Sequence, residues 1–229
     1  MATYNGASYI DQQLRSILCQ LKEQDEVILV DDRSSDLTVE IAKGFGDDRI
    51  KIFINNANQG ILKTFERAIR LASGDVIYLS DQDDVWYPSK VARFSDVFKL
   101  NPDVLLVLSD AELINDKGEV TARSFFEKRG TFTSSLPANI LKNKYLGCTM
   151  AFRSSIVGDI LPFPANIPMH DMWIGCISAF YGKVRFLDMP LMAYRRHENN
   201  ASPAHRQNFL KMLHWRLQLI KNLYKRICR

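Results

Sequence analysis

The chain has 229 residues, 46% of them hydrophobic and 24% charged, with a formal net charge of +4. This is the composition of an ordinary soluble globular protein, with enough apolar material for one large domain. The longest apolar runs, such as residues 104–108, fall far short of the ~20 residues that cross a bilayer. The N-terminus lacks the basic region and apolar core of a secretory signal. Cys19, Cys148, Cys176 and Cys228 have no metal-ligand spacing and read as reduced thiols of a cytosolic protein. The charge is uneven. Residues 195–229 hold nine Lys/Arg against the single acid Glu198, a net +8, which leaves −4 on the preceding 194 residues. An acidic body with a basic tail predicts a separate partner for the tail.

In chain order, residues 7–22 have helical spacing, with Ile10, Leu14, Ile17, Leu18 and Leu21 on one face. Residues 26–30 form a short apolar strand that ends at Asp31-Asp32. Residues 37–45 are helical, with Ser35 or Asp36 as N-cap. Residues 49–54 read as a strand, 59–72 as a helix ending at Ser73-Gly74, and 75–79 as a strand that runs into the acidic turn Ser80-Asp81-Gln82-Asp83-Asp84. A helix over 89–100 follows Pro88, and 104–108 is another strand. The second half is less regular. Residues 118–132 read as loop with short strands, 145–152 as a strand, 171–181 as a helix, 183–187 and 191–195 as two strands, and 199–203 as loop. A last helix covers 207–226. This order predicts an α/β fold with a mostly parallel twisted sheet covered by helices on both faces. It divides into a domain over 1–205 and a basic amphipathic helix over 206–229. Met1 to Tyr4 reads as the end of a strand, so the natural first strand is expected to begin upstream.

Ligands of such sheets bind beyond the carboxyl ends of the strands, and both acidic clusters fall there. Two carboxylates ~4 Å apart repel by about 4 kcal/mol at an effective dielectric near 20. A turn carrying Asp81, Asp83 and Asp84 therefore needs solvent or a cation. Oxygen ligands suit Mg²⁺ or Mn²⁺ shared with a phosphate. A solvated turn with Asp84 as a helix cap is the plainer alternative, and Trp86 and Pro88 beside the acids weaken it. Asp32 either caps a turn or accepts the N3–H of a pyrimidine. Asp171 either caps its helix or serves as a general base. His197 is a candidate metal ligand or phosphate donor.

Taken together, these stretches resemble inverting family 2 glycosyltransferases of the GT-A fold. The resemblance rests on Ala2-Thr-Tyr-Asn-Gly6, Val30-Asp-Asp-Arg-Ser-Ser-Asp36, Asn58-Gln-Gly60, Gly74-Asp75, Ser80-Asp-Gln-Asp-Asp-Val-Trp86, Gly147-Cys-Thr-Met-Ala-Phe152, His170-Asp-Met-Trp173 and Tyr194-Arg-Arg-His197. They follow the family's order over nearly the whole chain, and the pattern is most similar to bacterial rhamnosyltransferase-like members that build surface polysaccharides. The resemblance implies a nucleoside-diphosphate-sugar donor contacted by Thr3, Tyr4, Asp32, Asp81 and Arg195. It implies Mn²⁺ or Mg²⁺ held by Asp83, Asp81 and His197. It implies Asp171 as the base that deprotonates a glycan or lipid-linked acceptor, with Asp84, Trp86 and His170 on the acceptor side.

The tail places Phe209, Leu210, Leu213, Leu217, Ile220, Leu223, Tyr224 and Ile227 at helical spacing, with Lys211, Arg216, Lys221, Lys225 and Arg226 between them. It is read either as a helix packed on the body or as one lying on an anionic membrane, at the inner face of the plasma membrane. No nucleic-acid motif accompanies it. Two rival enzymatic or signalling readings are weaker. A phospho-receiver is about half this length, and a nucleotide-sugar-forming nucleotidyltransferase needs a Gly-rich basic loop where Thr3-Tyr-Asn-Gly-Ala7 stands.

Overall fold

A computed structural model describes residues 1–127, 129–167, 169–198, 200 and 209–228. The first half alternates strand and helix: β1 (Ala2–Thr3), α1 (Ile10–Leu18), β2 (Val27–Asp31), α2 (Thr38–Gly44), β3 (Ile50–Ile54), α3 (Ile61–Leu71) and β4 (Val76–Tyr78). Then come β5 (Val85–Trp86), α4 (Lys90–Leu100), β6 (Val104–Ile114) and β7 (Val120–Ala122). The remainder holds α5 (Leu136–Leu141), β8 (Met150–Arg153), α6 (Val157–Ile160), α7 (His170–Tyr181), β9 (Lys183–Arg195) and α8 (Phe209–Ile227).

The parallel expectation holds for the N-terminal half. Strands β1, β2 and β3 pair in parallel, and an isolated parallel bridge from Ala2 to Asp81 joins β1 to the end of β4. Beyond β4 the sheet is mixed, in the order β4-β8-β6-β9-β5 with β7 on β6. There β6 and β9 are parallel, while the other pairs are antiparallel. The sheet therefore curls from a parallel half into a mixed half. β2 is buried along its whole length, as a strand covered on both faces must be. α1 places Ile10, Leu14 and Ile17 into the same core as Leu29, Phe65, Leu106 and Trp173.

Several boundaries differ from the sequence expectation, and two of the differences have a reason that lies in tertiary contacts. β6 continues past Leu108 because the buried Asp110 is satisfied inside the fold. Its Oδ1 accepts from the Phe125 amide at 3.0 Å, and its Oδ2 accepts from the Ser124 hydroxyl. The two strands expected over 183–195 are one, β9. Pro190 is accommodated opposite Asp110, where the β6 register shifts, the kind of irregularity that tolerates a residue without an N–H. Residues 147–149 form a 3₁₀ turn before β8, so the expected strand over 145–152 begins late. The loop expected over 199–203 falls largely outside the described residues.

The Met1 ammonium is buried and donates to the Ile28 carbonyl at 2.7 Å. A cavity of about 560 Å³ is lined by Met1, Val27, Phe65, Ile77 and Leu79 among others. α8 packs Leu219 and Leu223 against the body. Its Arg226 donates to the carbonyls of Asp159, Leu161 and Pro162.

α7 approaches Tyr145 so closely that a Cβ at Gly175 would sit 2.4 Å from the ring. Gly175→Ala is expected to destabilise by about 1–3 kcal/mol through overpacking. Urea denaturation checks this, and an unchanged midpoint would mean that the contact relaxes freely.

Candidate active site

The acidic turn is built into the fold from three sides. Gln13 of α1 donates to the Ser80 hydroxyl at 2.9 Å and to the Asp81 carbonyl at 3.1 Å. Gln82 makes a reciprocal pair with the Tyr4 backbone, accepting at 2.8 Å and donating at 2.9 Å. A Cβ at Gly6 would collide with that Gln82 side chain at 2.2 Å. From the end of β9, the Arg195 guanidinium donates to the Asp83 carbonyl at 2.7 Å, to the Asn115 and Asp116 carbonyls at 3.1 and 3.0 Å, and to Gln12 at 2.8 Å.

The turn opens into a pocket of about 680 Å³ at the carboxyl ends of β1 and β2. Eight of the expected site residues line it: Thr3, Tyr4, Asp32, Asp81, Asp83, His170, Asp171 and His197. They come from both halves of the chain, and only the curled sheet brings them together. Asp32 is 3% exposed and accepts from Asn55 and from the Gln59 and Gly60 amides, each at 2.8 Å. Thr3 donates to Asp31 at 2.8 Å, so the two acids after β2 divide their work. Asp31 ties β1 to the following loop, and Asp32 faces the pocket. At the other end of the acidic turn, His197 Nε2 lies 2.7 Å from Asp83 Oδ2, and Asn200 donates to the same oxygen at 3.1 Å. The His197 ring stacks on Tyr9 with centroids 5.1 Å apart.

Asp171, in the first turn of α7, is 8% exposed. Burial pushes its carboxyl up to about 6, against the opposing pull of the Met172 and Gly147 amides and of Arg129. Burial likewise lifts Asp81 to about 7, with the Asp83 and Asp171 charges adding to it. His170 stacks on Phe65 at 4.2 Å, and burial drives its imidazole down to about 3, so it is neutral.

Three expected residues are placed elsewhere. Arg195 is 3% exposed and committed to backbone carbonyls of the turn and of the 115–116 loop. It holds the site together from behind and does not line the pocket. Asp84 turns inward: its Oδ1 accepts from the Arg195 amide at 3.0 Å, and burial plus Asp83 hold its carboxyl well above the ordinary range. It does not cap α4, whose N-cap position is Ser89 with no side-chain bond. Trp86 is 5% exposed, with the Lys90 ammonium 4.3 Å from its ring centroid. It belongs to the core beneath the turn.

Sequence reasoning missed Gln13, Gln82, Lys90 and Asn200. Gln82 lies inside the acidic motif and Asn200 three residues after His197, so proximity was the available signal. Lys90 had none. It is fully buried, donates to the Cys148 carbonyl at 2.9 Å, and burial draws its ammonium down to about 8.

The donor set suits a divalent cation. Asp81, Asp84 and Cys148 offer ligand atoms all within 4.8 Å of one another. Burial raises the Cys148 thiol well above its ordinary value, which leaves the two carboxylates as the effective donors. Carboxylate oxygens of this kind suit a hard divalent cation.

An α/β sheet with an acidic pocket at its strand ends, closed by a second mixed half, defines the GT-A class of glycosyltransferase. The glycosyl transferase family 2 model matches residues 1–161, and the chain belongs to that family. The chain is 30% identical over 212 residues to an uncharacterized glycosyltransferase of Nostoc, covering 87% of this chain and 64% of that one. It is 28% identical over 250 residues to the dTDP-rhamnosyl transferase RfbG of Shigella flexneri, covering 99% and 81%. Among solved structures, S. aureus TarS bound to UDP-GlcNAc superposes with a TM-score of 0.72 at 18% identity, covering 98% of this chain and 67% of that one. A Pyrobaculum calidifontis mannosyltransferase in complex with GDP-Man and Mn²⁺ gives 0.67 at 18% identity, covering 86% and 56%. Both likenesses concern the fold.

Raised carboxyls carry a stability cost that grows as they ionise. A group whose folded pKa lies above its unfolded value favours folding at low pH, and that contribution is lost as pH rises through the folded value. For Asp81 the window runs from about 4 to about 7. In metal-free buffer, Asp81→Asn is therefore expected to gain in Tm relative to the wild type as pH rises from 5 to 8. A difference that stays constant with pH would show that Asp81 is not held in a raised state.

Proposed function

We propose that the protein transfers a sugar from a nucleoside-diphosphate-sugar to a hydroxyl of a glycan or lipid-linked acceptor, with inversion, in surface polysaccharide synthesis. The observation that carries this reading is the shared pocket. Asp171 faces the same space as Asp32, Asp81 and Asp83, with its carboxyl raised to about 6. Rhamnose is the proposed sugar, supported by the similarity to a dTDP-rhamnosyl transferase over almost the whole chain.

Asp32, beside Thr3 and Gly60, sits where a nucleobase would lie, its carboxylate already oriented by three donors. Asp81, Asp83 and His197 take the ribose, the diphosphate and the cation between them. Bound Mn²⁺ or Mg²⁺ would supply Lewis-acid stabilisation of the charge that builds on the leaving diphosphate. Asp171 removes the acceptor proton as the oxygen attacks the anomeric carbon. A carboxyl near 6 is ionised at neutral pH and still more basic than an ordinary aspartate, which suits a general base. One displacement inverts the centre, so a second catalytic carboxylate is not required, unlike in glycoside hydrolysis. The Met172 amide, 2.5 Å from Asp171 Oδ1, fixes the direction in which the free lone pairs point.

The test begins with a screen of nucleotide-sugars with Mn²⁺, read as nucleoside diphosphate release, with EDTA as the control. Asp171→Asn is expected to leave donor binding intact and to lower turnover by about 10²–10⁴-fold. In the wild type, turnover should fall as pH drops through about 6, where Asp171 takes up its proton. Near-normal turnover by the variant would remove Asp171 from the mechanism.

A peripheral placement on the inner face of the plasma membrane is part of the same reading. No described helix is long and apolar enough to cross a membrane. α8 carries two apolar stripes. One packs on the body, and the other leaves Leu213, Leu217, Ile220 and Tyr224 at 42%, 58%, 47% and 70% exposure. These recur at the spacing of a single helix face, with Lys221 and Lys225 exposed beside them. An apolar stripe edged by lysines fits an anionic lipid surface. Vesicles containing phosphatidylglycerol should retain the wild type and release the Leu217→Glu/Ile220→Glu variant. Equal sedimentation of the two would reject the membrane role of α8.

A further inference from the structure

Beyond the donor pocket, at its Asp171 end, two arginines stand on a pair of touching aromatic rings. Arg129 lies over Phe125 with its guanidinium carbon 4.1 Å from the ring centroid. Phe125 meets Tyr194 edge to face at 5.9 Å. Arg196 donates from Nη1 to the Tyr194 hydroxyl at 3.0 Å, with its guanidinium carbon 5.7 Å from that ring. Tyr194 in turn lines the pocket together with Asp171 and His170. Phe125 and Tyr194 are buried, at 7% and 5% exposure, so the platform is fixed.

Among the described residues, neither arginine makes an ion pair with a carboxylate. The surrounding chain adds positive charge. Lys144 donates to the Gly130 carbonyl at 3.1 Å and also to that of Thr131, and Lys142 reaches the Arg129 carbonyl at 3.5 Å. The lysines thereby shape the loop that presents Arg129. Arg129 is also close enough to Asp171 and Arg196 to feel both charges. This contrasts with Arg195, whose guanidinium is buried and committed to carbonyls. Two like charges on neighbouring rings repel in the free protein, and an anion between them would remove the repulsion. Planar guanidinium forks match phosphate and carboxylate oxygens bidentately.

We propose that Arg129 and Arg196, carried on Phe125 and Tyr194, form an anion subsite for the acceptor, so that the acceptor bears a phosphate or carboxylate group close to its attacking hydroxyl. The proposal rests on the glycosyltransferase reading above and specifies its acceptor class. Asp171 would take the proton of the hydroxyl while the arginine pair holds the neighbouring anion, fixing which hydroxyl faces the sugar. Such an acceptor is either a sugar diphosphate ester, as on a lipid carrier, or a glycan containing a uronic acid.

The test uses the full chain with Mn²⁺ and saturating UDP or dTDP, whichever binds more tightly, so that the donor half is occupied. Binding of octyl glucoside, octyl glucuronide and octyl-diphospho-glucose is then compared by calorimetry. At least one charged probe should bind ten or more times more tightly than octyl glucoside, and which one does so identifies the anion. Arg129→Gln/Arg196→Gln should bring the probes to within about twofold of one another while leaving nucleotide affinity unchanged. The absence of any charge preference, including no binding of the probes at all, overturns the subsite. So does a preference that survives the double substitution. Failure of both nucleotides to bind would instead sink the donor reading, so the two failures are told apart.

Discussion

Three carboxylates within four residues cannot be gathered at a strand end unless something else holds the backbone in place. Here the holding group is the buried guanidinium of Arg195, which bonds the Asp83 carbonyl and reaches across to the 115–116 loop. Its own amide bonds Asp84. The contact joins the acidic turn after β4 to the end of β9, more than a hundred residues later. The pocket, the orientation of Asp83 toward His197, and the closure of the curled sheet all follow from that clamp. Beneath it, the Lys90 ammonium sits in apolar surroundings, shared between the Cys148 carbonyl and the Trp86 ring. A positive charge behind the turn offsets part of the repulsion in front of it, at the cost of desolvating the amine.

The site then separates into two ends with different electrostatics. At one end, Asp32 is oriented by three donors. At the other end, burial outweighs the backbone amides that reach Asp171, which raises its basicity. Two aspartates thus receive different electrostatics from their surroundings, as the proposed base and nucleotide-binding roles need. Between them, Asp81 and Asp84 are raised because neighbouring like charges and burial compound each other. That arrangement is unfavourable for folding, and a bound cation would relieve it.

Membership of family 2 is shown by the match over residues 1–161, which ends before Asp171 and His197. The chain spans 64% of the length of its Nostoc relative and 81% of RfbG.

The order of strands and helices in the first half, the acidic turn and the candidate base at Asp171 were all legible in the sequence. Each rests on local information: apolar runs of strand length, helical periodicity, and carboxylates placed at strand ends. The C-terminal helix α8 was legible for the same reason. What the linear chain could not decide was the direction in which a side chain faces. Arg195 and His197 stand two residues apart in one motif, yet one is sealed behind the turn and the other lines the pocket. Asp83 and Asp84 divide in the same way. Adjacent residues such as Asp83 and Asp84 point to opposite sides of the chain, while Arg195 and His197 part because β9 ends at Arg195; which side is the pocket depends on how β9 lies against β6 and β5. The same contacts decided that Trp86 belongs to the core, that Pro190 lies within one long strand, and that Lys90 is buried beneath the acids. The residue types and their order set the chemistry that is available, and the long-range packing of the second half onto the first decided which groups meet.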